Sequence, residues 1–416
     1  MLTAWIRFHF LVQRIAMLSL HTSPLAQPGT GDSGGMNVYV REMASSLAQA
    51  GVQCTTYTRR TSADQPDVVQ VEPGHRVVHV DAGPVDLPKG ALPGVVNEFG
   101  DRVIEHLAGE SPADVVHANY WLSGLVAHRI KHELDTPFVT TFHTLAKVKA
   151  EGGDPEPEYR HRAEAEIIGC ADAICVSCTE EAAQFRRLYG DPAGRIEIVA
   201  PGVEHAFFAP GQQSGARSAV GLPLGVPILL FVGRIQPLKG VELAVATLGS
   251  LTRRDAVLVI VGGVSGVDGH AELASAQRLA RDLGVAHRIR FVEPQPHHIL
   301  STYYRAADVV VVPSRSESFG LVALEAAACG TPVVASAVGG LINLVDDGAT
   351  GFLVEGRDPR KFAAAVDAVL ADPARAAAMS GRAAERAGRY TWGFAAARLR
   401  RLYVDVRSVR QLVACS

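Results

Sequence analysis

Arg234 and Lys239 stand five residues apart in Gly-Arg-Ile-Gln-Pro-Leu-Lys, directly after the apolar run Ile228–Val232. Two cations on one strand-end loop can clamp a diphosphate and neutralise the charge that builds on it as it leaves. The same spacing also suits a pair of solvated cations beside a linker. Glu317 and Glu325 form a second constellation, E-x7-E, spanning Glu317-Ser-Phe-Gly-Leu-Val-Ala-Leu-Glu325. Carboxylates accept hydrogen bonds from sugar hydroxyls, and a helix opening at Gly320 presents free N–H groups to an anion. The plainer alternative is a pair of acids favoured by the dipole of that helix.

A third segment, Gly29-Thr-Gly-Asp-Ser-Gly-Gly-Met-Asn37, follows the first apolar run. Glycines let backbone approach a bulky ligand closely, and the amides beyond them can cradle phosphate. The spacing is neither the dinucleotide G-x-G-x-x-G nor a P-loop, which disfavours an NAD-dependent oxidoreductase. His21 and His143 each end an apolar run, a position more often filled by a hydrogen-bonded structural residue than by a catalyst. Nothing in the spacing of Lys89, Tyr120, Thr144 and Arg160 groups them. No H-E-x-x-H, Cys/His zinc spacing or G-x-S-x-G elbow is present, so metal hydrolysis and α/β-hydrolase chemistry lack support.

These groups need a scaffold, and 416 residues suggest two domains. With 48% hydrophobic and 20% charged residues the chain is too apolar for disorder. Forty Lys+Arg against 43 Asp+Glu give a formal charge of −3, so no chain-wide basic field for nucleic acid or anionic lipid exists. Met1–Leu20 is fairly apolar, but Arg7, Gln13 and Arg14 interrupt it and no signal-peptide cleavage site follows. No later run is long enough to span a bilayer. The expectation is a cytoplasmic protein with a loose extension, Met1–Gln13, which an alternative translation start would equally explain. Six cysteines are too few for a secreted disulfide scaffold. Cys170, Cys175 and Cys178 have a C-x4-C-x2-C spacing, yet they span a helix end and an apolar strand, and Cys54, Cys329 and Cys415 offer no matching motif. All read as core thiols.

Short apolar runs alternate with helix-like stretches, the pattern of parallel α/β layers. Strands are expected at Arg14–Leu20, Val52–Tyr57, Val77–Val80, Val115–His117, Phe138–Phe142, Ala173–Val176 and Ile196–Val199. The pattern restarts at Ile228–Val232, Val257–Val261, Ile289–Val292, Val309–Val312, Pro332–Ala335 and Gly351–Val354. The Pro/Gly/Ser-rich Pro210–Gly225 marks the boundary. The expected organisation is two doubly wound Rossmann-like domains, 1–205 and 206–390. Residues 391–416 would form an amphipathic helix, capped by Thr391, that crosses back to the first domain. In such sheets ligands sit outside the carboxyl ends of the strands, where these residues fall, so the loops of both halves are expected to face an inter-domain cleft.

In combination, Phe231-Val-Gly-Arg-Ile-Gln-Pro-Leu-Lys-Gly240 and Ser316-Glu-Ser-Phe-Gly-Leu-Val-Ala-Leu-Glu325 resemble the donor-site motifs of the retaining nucleotide-sugar glycosyltransferases of the GT-B fold. The resemblance runs from about Arg14 to about Arg401. Within that group, the segment from His21 to Asn37, Tyr120-Trp-Leu-Ser-Gly124 and His143-Thr-Leu-Ala-Lys-Val-Lys149 are most similar to the D-inositol-3-phosphate glycosyltransferases of mycothiol biosynthesis. Those enzymes transfer N-acetylglucosamine from its UDP conjugate. The resemblance implies donor contacts at Gln27, Pro28, Gly35, Arg234, Lys239, Gln295, Glu317 and Glu325. It implies acceptor contacts at His21, Asn37, Lys89, Tyr120, Thr144 and Arg160, with catalysis through His143, Arg234, Lys239 and Glu317. It further implies a nucleotide-sugar co-substrate, a small polar phosphorylated acceptor, no required cofactor or catalytic metal, and a homodimer.

Three departures from that pattern bear on substrate. Asn119 stands where histidine is usual before Tyr-Trp, Gln295 where arginine is common, and Ala150–Pro157 is altered. Losing an arginine removes a charge near the expected base or phosphate. Alternatives are a related antibiotic-pathway enzyme using another UDP- or GDP-sugar with an alcohol or thiol acceptor, and a sucrose-phosphate-type synthase. A non-catalytic nucleotide-sugar-binding protein would need a broken cationic pair or E-x7-E, and both are intact.

Overall fold

The computed structural model describes residues 12–29, 31, 33–109, 112–266, 268–408, 413 and 415, so most of the expected Met1–Gln13 extension lies outside the described residues. These residues form two compact units. One comprises the residues up to Ala26, Met36–Ala200 and the stretch from Trp392; the other comprises Gln27–Gly35 and Pro201–Thr391.

The first unit holds β1 (Arg14–Leu18), β2 (Gln53–Arg59), β3 (Val68–Glu72), β4 (His75–Val80), β5 (Val115–Asn119), β6 (Phe138–Thr141), β7 (Ala173–Val176) and β8 (Arg195–Ile198). Their order across the sheet is β3-β4-β2-β1-β5-β6-β7-β8. All neighbours run parallel except β3, which pairs antiparallel with β4. Sequence reasoning overlooked β3 because Val-Val-Gln-Val-Glu is short and has no fully buried position, as edge strands often do not. Leu18, Phe99, Val126, Phe138, Ile167 and Phe185 belong to the core around this sheet.

The second unit holds β9 (Ile228–Val232), β10 (Val257–Val261), β11 (Ile289–Val292), β12 (Val309–Val312), β13 (Val333–Ser336) and β14 (Gly351–Val354). Their order is β11-β10-β9-β12-β13-β14, all parallel. Ile-Leu-Leu-Phe-Val in β9 and Val-Val-Val-Val in β12 are buried along nearly their whole length. Continuous apolar runs of this kind suit a sheet covered by helices on both faces. Phe231, Leu248, Ile260, Phe362 and Met379 pack around it.

In the first sheet the chain steps from β1 towards β2 and returns on the far side at β5. In the second it steps from β9 towards β10 and returns at β12. At such reversals the connecting loops diverge and leave a crevice beyond the strand ends.

Two features depart from a simple reading of the chain. Gln27–Gly35 follows β1 in sequence yet packs with the second unit, where Gln27 Nε2 donates to the Pro294 carbonyl at 3.0 Å. The cysteines also divide differently. Cys54, Cys175, Cys178 and Cys329 are buried free thiols, but Cys170 is joined to Cys415 in a disulfide. The reading of Cys170 and Cys415 as core thiols is thereby corrected. Cys170 ends the helix Glu158–Cys170, whereas Cys175 lies inside β7.

Candidate functional site

In the first unit, residues after β1, β5 and β6 converge beyond the strand ends. The His21 and Tyr120 rings lie 4.7 Å apart, and the His143 ring meets Tyr39 edge-on at 4.9 Å. Asn37, in the first turn of the helix Gly35–Gln49, donates to Thr22 Oγ1 at 2.7 Å and to the Ser23 carbonyl, tying that helix to the loop after β1.

Backbone strain concentrates here. Among the described residues, Tyr120, Asp135 and His143 are the non-glycine residues with positive φ. Tyr120 has φ 76° and ψ 157°, a region almost reserved for glycine. His143 has φ 61°. Such conformations cost on the order of 1–3 kcal/mol each and persist only where surrounding contacts over-determine them.

His143 Nε2 lies 2.9 Å from Asn119 Oδ1 and donates to it, while Asn119 Nδ2 is buried with no hydrogen-bond partner among the described residues. Burial, helped by repulsion from His117 and His21, pushes the His143 pKa down to about 3. The ring is therefore neutral at physiological pH. It can orient or accept hydrogen bonds but carries no charge.

Arg160 is 1% exposed and forms the centre of the cluster. Nε donates to Glu164 at 2.9 Å; Nη1 reaches Tyr120 Oη at 3.1 Å and Glu156 at 2.8 Å; Nη2 reaches the Thr144 carbonyl at 2.9 Å and Thr144 Oγ1 at 3.3 Å. The guanidinium also lies 5.0 Å from the Tyr120 ring centroid. Burial opposes its charge, but Tyr120, Glu164 and Glu156 outweigh burial and hold its pKa above the ordinary value. Glu164, itself fully buried, accepts from the Ala146 N–H and from Tyr189 Oη as well. Glu156 pairs with both Arg160 and Lys149, so an internal carboxylate from the altered loop occupies the position where two cations converge. Lys89 is exposed at the start of a 3-10 turn, Lys89–Val95.

In the second unit, the loops after β9 and β12 face each other across the reversal point. Lys239 Nζ pairs with Glu317 Oε1 at 2.5 Å, and the same oxygen accepts from Ser314 Oγ at 2.8 Å. Arg234 Nη1 reaches Ser265 Oγ at 3.4 Å. Glu325, in the helix Leu321–Ala328, accepts from Tyr304 Oη at 2.7 Å. Burial raises the Glu325 pKa to about 7, against the opposing pull of the Tyr304 hydrogen bond.

Backbone packing fixes these loops. Gly339 has φ 48°, and a Cβ there would stand 1.9 Å from the Glu317 carbonyl oxygen. Gly262 has φ 158°, and a Cβ there would stand 1.9 Å from the Gly233 carbonyl oxygen, one residue before Arg234. Both positions require glycine. The described part of Gln27–Gly35 joins the same surroundings. Gly29 packs on Pro294, Gly34 lies against the Arg234 guanidinium and Gly35 against Leu321. Pro28 is half-buried within this segment. Gln295 Nε2 donates to the Glu293 carbonyl at 2.9 Å, on the loop whose Pro294 carbonyl binds Gln27.

The residues assigned to donor binding thus all lie in the second unit, and those assigned to acceptor binding in the first. The pairings differ from those the sequence suggested. Lys239 is bound to Glu317 rather than standing as a free cation, and the buried partner of Glu325 is Tyr304. Sequence reasoning also missed Glu156, Glu164, Ser265, Ser314 and Tyr304. For two of these a signal existed, because Glu156, Arg160 and Glu164 stand at successive intervals of four, the spacing of side chains on one helix face.

Comparison with known proteins bears on both units. Residues 34–202 match the family model described as a glycosyl transferase 4-like domain, and residues 213–386 that of glycosyl transferases group 1. The chain is 44% identical to D-inositol 3-phosphate glycosyltransferase 2 of Catenulispora acidiphila, with 98% of this chain and 99% of that one covered. It is 46% identical to the D-inositol 3-phosphate glycosyltransferase of Kineococcus radiotolerans, covering 92% and 93%. Among solved structures, a sucrose-phosphate synthase from Thermosynechococcus elongatus superposes with TM-score 0.88 at 35% identity, covering 94% and 98%. Anabaena HepE in complex with UDP and glucose superposes with TM-score 0.76 at 18% identity, covering 94% and 99%, a likeness of fold. Among the described residues no helix is long and apolar enough to cross a membrane. With both halves matched and close relatives aligned over nearly the whole length, the chain belongs to the group 1 glycosyltransferases of the GT-B fold, in the family of the D-inositol 3-phosphate glycosyltransferases, and is a hexosyltransferase.

Proposed function

We propose that this enzyme transfers N-acetylglucosamine from UDP-N-acetylglucosamine to 1D-myo-inositol 3-phosphate with retention at the anomeric carbon. The observation that carries the acceptor assignment is the buried Arg160, held by Tyr120 and Thr144 and paired with a removable carboxylate, Glu156. A phosphate has the charge and the oxygen spacing to replace that carboxylate on Arg160 and Lys149. His21, Asn37 and Lys89 would complete the acceptor contacts.

In the second unit, Arg234 and Lys239 would neutralise the diphosphate as the bond between the anomeric carbon and its oxygen breaks. The acceptor hydroxyl attacks from the face the diphosphate leaves. Its proton passes to the departing phosphate oxygen, so no enzyme nucleophile is consumed. Glu317, anchored by Lys239 and Ser314, would orient the sugar, and Glu325 the ribose hydroxyls. Gln27, Pro28, Gly35 and Gln295 would line the donor. Neutral His143 would line the reacting face as a hydrogen-bonding group.

The test is incubation of the purified protein with both substrates and no added metal, with product read by mass spectrometry and anomeric configuration by NMR. An α-linked N-acetylglucosaminyl-inositol phosphate is the expected result. Product from fructose 6-phosphate and UDP-glucose, with none from inositol phosphate, would overturn the acceptor assignment in favour of a sucrose-phosphate-type reaction.

A further inference from the structure

On the first unit a cluster of side chains stands apart from the residues assigned to donor and acceptor binding. His128 and His132 lie one turn apart on the helix Trp121–Leu134, Cys170 ends the helix Glu158–Cys170, and Cys415 lies beyond the helix Trp392–Ser408. One ligand atom from each lies within 4.8 Å of every other. His128 Nε2 and His132 Nε2 are 3.2 Å apart, and His132 Nε2 is 3.6 Å from Cys170 Sγ.

The His128–His132 and His132–Cys170 distances are close to those of tetrahedral coordination, and reduction of the Cys170–Cys415 bond would let the two sulfurs separate to that spacing. With Zn–N near 2.0–2.1 Å and Zn–S near 2.3 Å, the donor atoms of such a site lie roughly 3.3–3.8 Å apart. Two imidazoles and two thiolates match the preference of zinc for mixed nitrogen and sulfur donors. His128 is also oriented from behind, because its Nδ1 lies 3.2 Å from Glu166 Oε1. A carboxylate on the far nitrogen of a histidine fixes its tautomer and leaves Nε2 free to ligate. The tail is brought to this place independently: Asp172 Oδ1 accepts from the Val413 N–H at 3.0 Å and from Lys131 Nζ at 2.8 Å. Cys170 is buried while His132 is exposed, so an ion would have an entry path from solvent.

We propose that, with its cysteines reduced, this chain binds one zinc ion through His128 Nε2, His132 Nε2, Cys170 Sγ and Cys415 Sγ, a structural site that fastens the tail to the first unit. The Cys170–Cys415 disulfide is the metal-free, oxidised alternative for the same pair. A phosphine and one water convert that disulfide into two thiols and a phosphine oxide, and binding of zinc then releases the two thiol protons. The sequence offered no zinc motif because only the fold brings His128, His132, Cys170 and Cys415 together.

The test uses the full chain, freed of any histidine tag, reduced with a phosphine and loaded with Zn²⁺ or Co²⁺ before desalting. Elemental analysis should give about one zinc per chain, and Co²⁺ should give the intense visible bands of a tetrahedral thiolate site. His132→Ala and Cys415→Ser should cut bound zinc at least tenfold, while Cys329→Ser, at a buried thiol elsewhere, should retain it. Glu166→Gln should weaken Co²⁺ binding by roughly 10–100-fold, as for other groups that orient a metal-bound histidine. Less than a tenth of a zinc per chain in the folded, reduced wild type would overturn the proposal. So would zinc retained in full by both ligand variants, or cobalt bands without thiolate character.

Discussion

The two units carry similar doubly wound sheets, yet each holds the cation at the centre of its candidate cluster differently. The first unit buries it: Arg160 and Glu164 are essentially inaccessible and locked into one network, under a backbone strained at Tyr120 and His143. The second unit leaves its ion pair partly open, with Lys239 and Glu317 side chains 22% and 13% exposed. It shapes their loops through glycines that admit no side chain. A buried, saturated cation is suited to rigid recognition of one group. A half-open pair can exchange partners as charge moves during a reaction. Changes in the first unit should therefore fall mainly on stability and acceptor binding, and changes in the second mainly on turnover.

The largest effect that could break this contrast is on stability. Glu164→Ala leaves Arg160 with one carboxylate fewer inside the core, and urea unfolding should show a loss of about 3 kcal/mol. A loss under 1 kcal/mol would mean the network is not what holds this region together. Lys239→Ala should lower kcat by about 10²-fold or more with little change in the urea midpoint. If instead the protein unfolds readily while turnover per folded molecule persists, the second unit's pair is structural and the contrast fails.

Glu325 supplies a pH-dependent test. Its folded-state pKa of about 7 lies above the ordinary 4.5, so the folded chain holds a proton that the unfolded chain releases. This contribution to stability is complete below about pH 4.5 and is lost as the pH rises through about 7. Unfolding midpoints measured across that window should fall with pH from this cause, and the Glu325→Gln slope should be flatter. UDP affinity, followed by calorimetry, should tighten over the same rise as the carboxylate ionises, and that trend should vanish in the variant. The smallest effect sharpens the comparison within the first unit. Tyr120→Phe removes the hydroxyl bonded to Arg160 and should cost about 1 kcal/mol. It should appear chiefly as a several-fold rise in the acceptor KM, with the donor KM unchanged.

How far the sequence could be read varied with the kind of feature. β9, β10, β11 and β12 match their expected limits residue for residue; in β9, β10 and β12 continuous apolar runs leave little choice of burial. The edge strand β3 escaped notice because it is five residues long and buries none of them fully. The candidate site residues were proposed through the family motifs, and most of them lie in loops after strands or at helix starts. Their partners were not. The sequence coupled Arg234 with Lys239 and Glu317 with Glu325 because they are neighbours along the chain. The fold instead couples Lys239 with Glu317, 78 residues away, and Glu325 with Tyr304. The cysteines teach the same point, since near neighbours in sequence separate and Cys170 meets a residue 245 positions away.

The sequence by itself determined the alternation of strand and helix, the restart after residue 210, the family, and the residue types offered for the chemistry. These follow from local periodicity and short motifs, which act within a few turns of chain. Only the tertiary structure decided which charges neutralise one another, which backbone is strained, where the described part of Gln27–Gly35 packs, and that two histidines of one helix meet Cys170 at the end of another and Cys415 beyond a third. Those outcomes depend on the strand order, since parallel crossovers bring together loops that are far apart along the chain.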